Sequence, residues 1–134
     1  MKKFFVAMMA LCAMAVSFTS CNQADPAKEP IAGKTYMYTD PEAPDCYVKF
    51  AFHMNHKVSH EIKTPFASAS QTNLVWEMKA NAKDFNIKWG PGMIDTQTGE
   101  LVEGKILYEG VYDAEKKQIT VTMQGAPVVC PEVK

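Results

Sequence analysis

LVWEMKANAKDFNIKWG, residues 74–90, alternates apolar and polar side chains on both sides of a polar centre. Leu74, Trp76, Met78 and Ala80 interleave with Val75, Glu77 and Lys79, and Phe85, Ile87 and Trp89 interleave with Asn86 and Lys88. A period of two marks a strand with one buried face; a helix would repeat its apolar stripe every three or four residues. Joining the halves through a four-residue loop, Asn81 to Asp84, sets Ala80 opposite Phe85, Met78 opposite Ile87 and Trp76 opposite Trp89. Both apolar sets then share one side. The stretch predicts a β-hairpin with its two tryptophans on the same face.

The same pattern extends outward along the chain. ILYEGVYDAEKKQITVTM (106–123) forms a second hairpin when Asp113 pairs with Gln118, which places Tyr112 opposite Ile119, Gly110 opposite Val121 and Tyr108 opposite Met123. Gly110 falls on the inward face, where a strand glycine marks a sharp bend or a bulge, as a small closing sheet needs. GKTYMY (33–38) supplies a first strand, and MIDTQTGELV (93–102) reads as a further turn. Segments near 34–38, 46–54, 58–64, 73–80, 85–89, 92–95, 101–112 and 118–124 give about eight strands in meander order, with no helical stripe between them. Sequential hairpins with short loops place chain neighbours side by side, so the expected fold is all-β, a small up-and-down antiparallel barrel. A β-sandwich with Greek-key crossings is the alternative.

All three histidines fall in FHMNHKVSHEI (52–62). Val48, Phe50, Phe52 and Met54 share a face, and only Val58, His60 and Ile62 can join them in a core. A three-residue loop of Asn55, His56 and Lys57 achieves this, pairing Met54 with Val58, Phe52 with His60 and Phe50 with Ile62. His53 then points out, His56 sits on the turn and His60 points in. No common ion can reach all three, because histidine ligands must converge within about 2.0–2.1 Å of the metal. No metal site is therefore assigned, although His53 and His56 retain the option of weak chelation across the turn. His60 is read either as a hydrogen-bonded core residue or as a polar contact in a ligand cavity.

Residues 1–20 have the build of an export signal: Lys2 and Lys3, the apolar run FFVAMMALCAMAV, then SFTS before Cys21. A cysteine at that point resembles the lipobox of bacterial lipoproteins, which implies lipid attachment at the Cys21 sulfur and acylation of its amine. The alternative is a secreted domain with a free thiol. Residues 21–32, polar and proline-bearing, are expected to be a flexible tether, followed by the domain at 33–134. With Cys12 leaving in the signal and Cys21 lipidated, Cys46 and Cys130 remain as one pair in an oxidising compartment. A disulfide between them is expected, worth about 4 kcal/mol in chain entropy. Two buried free thiols are the other possibility.

Without Lys2 and Lys3 the balance becomes 12 basic against 15 acidic residues, and every basic residue is a lysine. The absence of arginine removes the planar fork that phosphate recognition favours, so nucleic acid is excluded as an expected partner. The domain has only Ser59, Ser68 and Ser70 as serines and no nucleophile-elbow motif. An enzyme is therefore not expected, nor is any cofactor.

Gly33-Lys34-Thr35-Tyr36, the run of short hairpins and the closing YEGVYDAEKKQITVTM resemble the small lipid-anchored, lipocalin-like or calycin-like barrel lipoproteins of diderm bacterial envelopes. Where lipocalins carry Gly-x-Trp on the first strand, this chain has Tyr36, one place later. The resemblance implies a membrane-anchored protein in the bacterial cell envelope, the outer membrane being the favoured destination, with its domain in the periplasm or at the cell surface. It also implies a small apolar ligand inside the barrel, contacted by Phe50, Phe52, His60, Trp76, Met78, Phe85, Trp89, Tyr108 and Tyr112. The alternative is a barrel filled by these same side chains, serving as an envelope protein-interaction or enzyme-inhibitor module.

Overall fold

The computed structural model describes residues 23–134; the expected export signal and the expected lipid-attachment residue Cys21 lie outside the described residues. The described chain forms eight strands: β1 (Thr35–Asp40), β2 (Ala43–Phe52), β3 (Lys57–Lys63), β4 (Ser68–Met78), β5 (Asp84–Trp89), β6 (Ile106–Asp113), β7 (Gln118–Met123) and β8 (Ala126–Pro131). They make a single antiparallel sheet in chain order. The sheet curls until β8 reaches β1 through the Tyr36–Glu132 bridge and a 2.8 Å bond from the Val133 N–H to the Thr35 carbonyl. The result is a nearly closed up-and-down barrel, and not the two-sheet sandwich.

Alternation fixes which side chains go inside. Tyr36, Phe50, Phe52, Val58, Leu74, Trp76, Phe85, Ile87, Tyr112, Ile119, Val121 and Cys130 are all buried, one inward set from eight strands. The second hairpin has the register read from sequence: Asp113 faces Gln118, Tyr112 faces Ile119 and Gly110 faces Val121. The other two hairpins keep their faces but slide by two residues. Phe52, and not Met54, pairs with Val58, and Met78, and not Ala80, pairs with Phe85. The slide preserves parity, so Trp76 and Trp89 remain on one face, opposite Ile87 and Leu74 respectively.

Local chemistry accounts for both slides. In the β4–β5 loop, the Asn81 carboxamide oxygen accepts from the N–H groups of Lys83 and Asp84 while its amide donates to Asp84. That Asx-type turn starts the loop at Ala80. In the β2–β3 loop, His53 N–H donates to the Lys57 carbonyl, and His56 takes the left-handed φ of 64° that closes a three-residue hairpin. The loop carbonyls are used elsewhere: Met54 accepts from Ala24, His56 from the Trp76 backbone, and His53 from the Trp76 indole at 3.1 Å.

Three further expectations are corrected. Residues 92–95 form no strand; they belong to a long β5–β6 excursion that carries one isolated bridge, Ile94–Leu101, and is tied to β4 through Asn73, which bonds Gly90 and Pro91. The eighth strand is instead Ala126–Pro131, whose Pro127 and Pro131 are tolerated because β8 is hydrogen-bonded along its length only to β7. The segment read as a tether is packed from Ala24 onward: Ala24, Ile31 and Ala32 are buried and Gly33 N–H donates to the Phe52 carbonyl. Short apolar residues in a polar, proline-bearing stretch concealed this plug, which closes one end of the barrel.

The expected disulfide is absent: Cys46 and Cys130 are free thiols. They lie on β2 and β8, on either side of β1. Two interstrand spacings amount to roughly 10 Å. A disulfide tolerates about 7 Å between Cα atoms. Burial raises the Cys130 thiol to about 11. It is a small hydrophobe in the core rather than a crosslink.

Candidate functional site at the open rim

Antiparallel order puts the connections at alternate ends. The β2–β3, β4–β5 and β6–β7 loops and both described chain termini gather at the plugged end, while the β1–β2, β3–β4, β5–β6 and β7–β8 connections ring the other.

Of the nine candidate ligand contacts, Phe50, Phe52, His60, Trp76, Phe85 and Tyr112 are buried, and Met78, Trp89 and Tyr108 are half-buried against them. They contact one another. Phe52 meets Trp76 and Phe85 edge-on at centroid distances of 5.7 and 5.5 Å. Phe50 stacks on His60 at 4.3 Å and meets Tyr108 edge-on at 6.1 Å. Tyr36 meets Tyr112 at 6.4 Å. β2 and β6 are four strands apart in an eight-stranded barrel, so the Phe50–Tyr108 contact joins opposite walls. The edge-on separations lie in the normal range for packed aromatic pairs, and the Phe50–His60 stack is closer still.

His60 is the one buried polar residue of this set. Its Nδ1 donates to the Lys49 carbonyl at 3.1 Å, which leaves Nε2 as a bare acceptor with no protein partner. Burial lowers the imidazole below its ordinary value, against the opposing effect of the Lys49 carbonyl. Tyr36 Oη is likewise buried without a partner, and burial, with Tyr112 and Glu132 nearby, raises it far above the usual phenol range. The other two histidines lie apart: His53 is exposed and bonds Ser59, whereas His56 pairs with Glu29 and tilts over the Trp76 ring at 4.8 Å. Among the described residues no three His, Cys, Asp or Glu side chains are grouped to hold a metal ion.

The open rim carries a different chemistry. Phe66 in the β3–β4 connection is 97% exposed, and Ile94, Leu101 and Ile106 from the β5–β6 region are each about half exposed. Beside them a cleft of about 300 Å³ is lined by Gln71, Trp89, Met93, Ile94, Asp95, Thr96 and Val102. The excursion that forms it is internally braced. Asp95 caps Gln97 N–H, Gly99 N–H donates to the Asp95 carbonyl at 2.7 Å, and Val102 N–H donates to Met93. Its ionisable residues are mostly acidic: Asp40, Glu42, Asp45, Asp95, Glu100 and Glu103 surround the rim, against Lys63 and Lys105.

Sequence reasoning missed this surface by assigning 92–95 and the residues from 101 to strands. Read as one connection, residues 90–105 exceed the length at which a structureless loop becomes uncommon, and that length was the available signal. Phe66, inside TPFASAS with no alternating pattern around it, was a second. Comparison with protein-family models, curated proteins and solved structures found no match.

Proposed function

We propose that this chain is a lipid-anchored, lipocalin-like lipoprotein of the bacterial cell envelope that works as a protein-interaction module, with no catalytic activity and the open rim as its binding surface. The observation that carries this reading is the Phe50–Tyr108 contact between opposite walls, together with the ring contacts around it. Such packing favours a filled barrel over a carrier's cavity, which typically measures 300–1,000 Å³. Rim chemistry points to the partner's class. Phe66, Ile94, Leu101 and Ile106 among acidic side chains suit a protein face combining apolar groups with lysine or arginine.

A photo-crosslinking residue in place of Phe66, in the full chain in its own envelope, tests the reading. We expect one discrete protein adduct, weakened by Ile94→Ser with Leu101→Ser and by raised salt. Adducts of equal yield from a probe at outward-facing Val129 on β8 would refute it. A second reading, an apolar small molecule held at the mouth, rests on the cleft beside Trp89. Saturable quenching of tryptophan fluorescence by an envelope lipid extract, lost in Trp89→Leu, would favour it.

A further inference from the structure

We infer that the plugged end of the barrel is a bilayer-docking face that recognises anionic phospholipid headgroups, so that the anchored domain stands with its rim turned away from the membrane. The inference rests on the lipid-anchor reading of Cys21 and on two observations of the described residues.

The first is the distribution of charge along the barrel axis. Lys28, Lys57, Lys79, Lys83, Lys116 and Lys117 are all exposed at the plugged end, with Lys134 beside them. Most acidic groups there are already engaged within the protein. Glu29 pairs with His56, Glu132 with Lys34 at 3.4 Å, Asp84 bonds Asn81, and Asp113 accepts from the N–H groups of Glu115 and Lys116. Asp25, which accepts from the Ala27 N–H, and Glu115 are the other exposed acidic side chains of the loops and chain ends here. The opposite rim has the reverse balance. In a domain with a net charge of −3, the acidic excess thus lies at the rim, and the end where the chain enters presents the lysine-rich surface.

The second observation is the plug itself. The described chain is packed close to the anchor, because Ala24 is buried and its N–H is bonded to the Met54 carbonyl. Two residues, Asn22 and Gln23, separate Cys21 from Ala24, and the three steps of an extended chain cover roughly 10 Å. The loops at this end are therefore held within about one to two Debye lengths of the headgroups at physiological salt. A long flexible tether would have averaged the orientation away. This short one converts loop lysines into a juxtamembrane basic cluster, the arrangement attracted by anionic leaflets.

The test uses the full lipidated chain reconstituted in vesicles of phosphatidylethanolamine with one-quarter phosphatidylglycerol. Photo-crosslinking residues are placed singly at Ala114, in the β6–β7 loop, and at Phe66 on the rim. Lipid adducts are expected at least fivefold more abundant from position 114. The excess should fall towards unity in 1 M salt, in vesicles of phosphatidylcholine alone, or in the exposed triple variant Lys79→Glu, Lys83→Glu, Lys116→Glu. Equal adducts at the two positions, or an excess at 66, would overturn the inference while leaving the rim's protein partner testable through its own crosslink. Intact-mass analysis distinguishes the premise: a mature chain without acyl mass at Cys21 removes the anchor and the docking face with it.

Discussion

At Gly110 the absence of one methyl group sets the packing of the barrel wall. The glycine pairs across the strands with Phe85, and a Cβ at that position would come far inside van der Waals contact of the ring's Cζ. Sequence reading placed Gly110 inward and expected a bend; its role is to seat an aromatic ring over a bare strand position. Gly110→Ala should lower stability in urea unfolding by about 1–3 kcal/mol, the usual cost of overpacking. In a Phe85→Ala background most of that cost should disappear, since the two positions share one volume.

His60 makes a second residue-scale prediction. Its imidazole is neutral in the folded barrel and its proton affinity is depressed by burial, while the unfolded chain takes up a proton near pH 6.5. The unfolded state therefore binds more protons as the pH falls through and below that value, and stability is lost on acidification. His60→Leu should flatten this part of the stability–pH curve, and unfolding midpoints between pH 7 and 5 measure it. Cys130 acts at the other end of the scale. Folding raises its thiol to about 11 from 9.0, so stability declines as the pH climbs through that interval.

At the scale of elements, faces were legible and ends were not. Every inward residue in the two tryptophan strands followed from alternation, because a one-residue error would have buried Glu77 and Lys88. A two-residue slide carries no such penalty, so the choice passed to features that alternation does not encode: the Asn81 turn and the plug's bond to Met54. The β7–β8 connection was missed for a similar reason. It is a two-residue turn, Gln124 at φ 52° and Gly125 at φ 81°, between Met123 and Ala126. Hairpin turns with both central residues at positive φ favour Asn-Gly, and glutamine hides that signature. Gln124→Asn should raise stability by roughly 0.5–1 kcal/mol in thermal or urea unfolding. Reduction offers a contrasting measurement for β2 and β8: because Cys46 and Cys130 are free, dithiothreitol should leave the melting temperature unchanged.

For the whole molecule, the sequence pattern led to a barrel and to its inward aromatic set, but could not tell a lined cavity from a packed core. That distinction depends on whether rings from opposite walls touch, a matter of barrel radius and strand tilt. Phe50, Phe52, Tyr108 and Tyr112 contact their neighbours across the interior, and the plug occupies one end. The proposed recognition surface is the rim at the other end, built by an excursion that alternation had absorbed into strands. Plug, filled core and rim follow one axis, and the proposed anchor would enter at the plugged end. Native mass spectrometry of the domain, isolated from its own envelope in detergent and never unfolded, tests the filled core most directly. The account predicts the mass of the acylated chain alone; a stoichiometric small molecule, retained by this chain and lost when Phe50 is replaced by tryptophan, would contradict it.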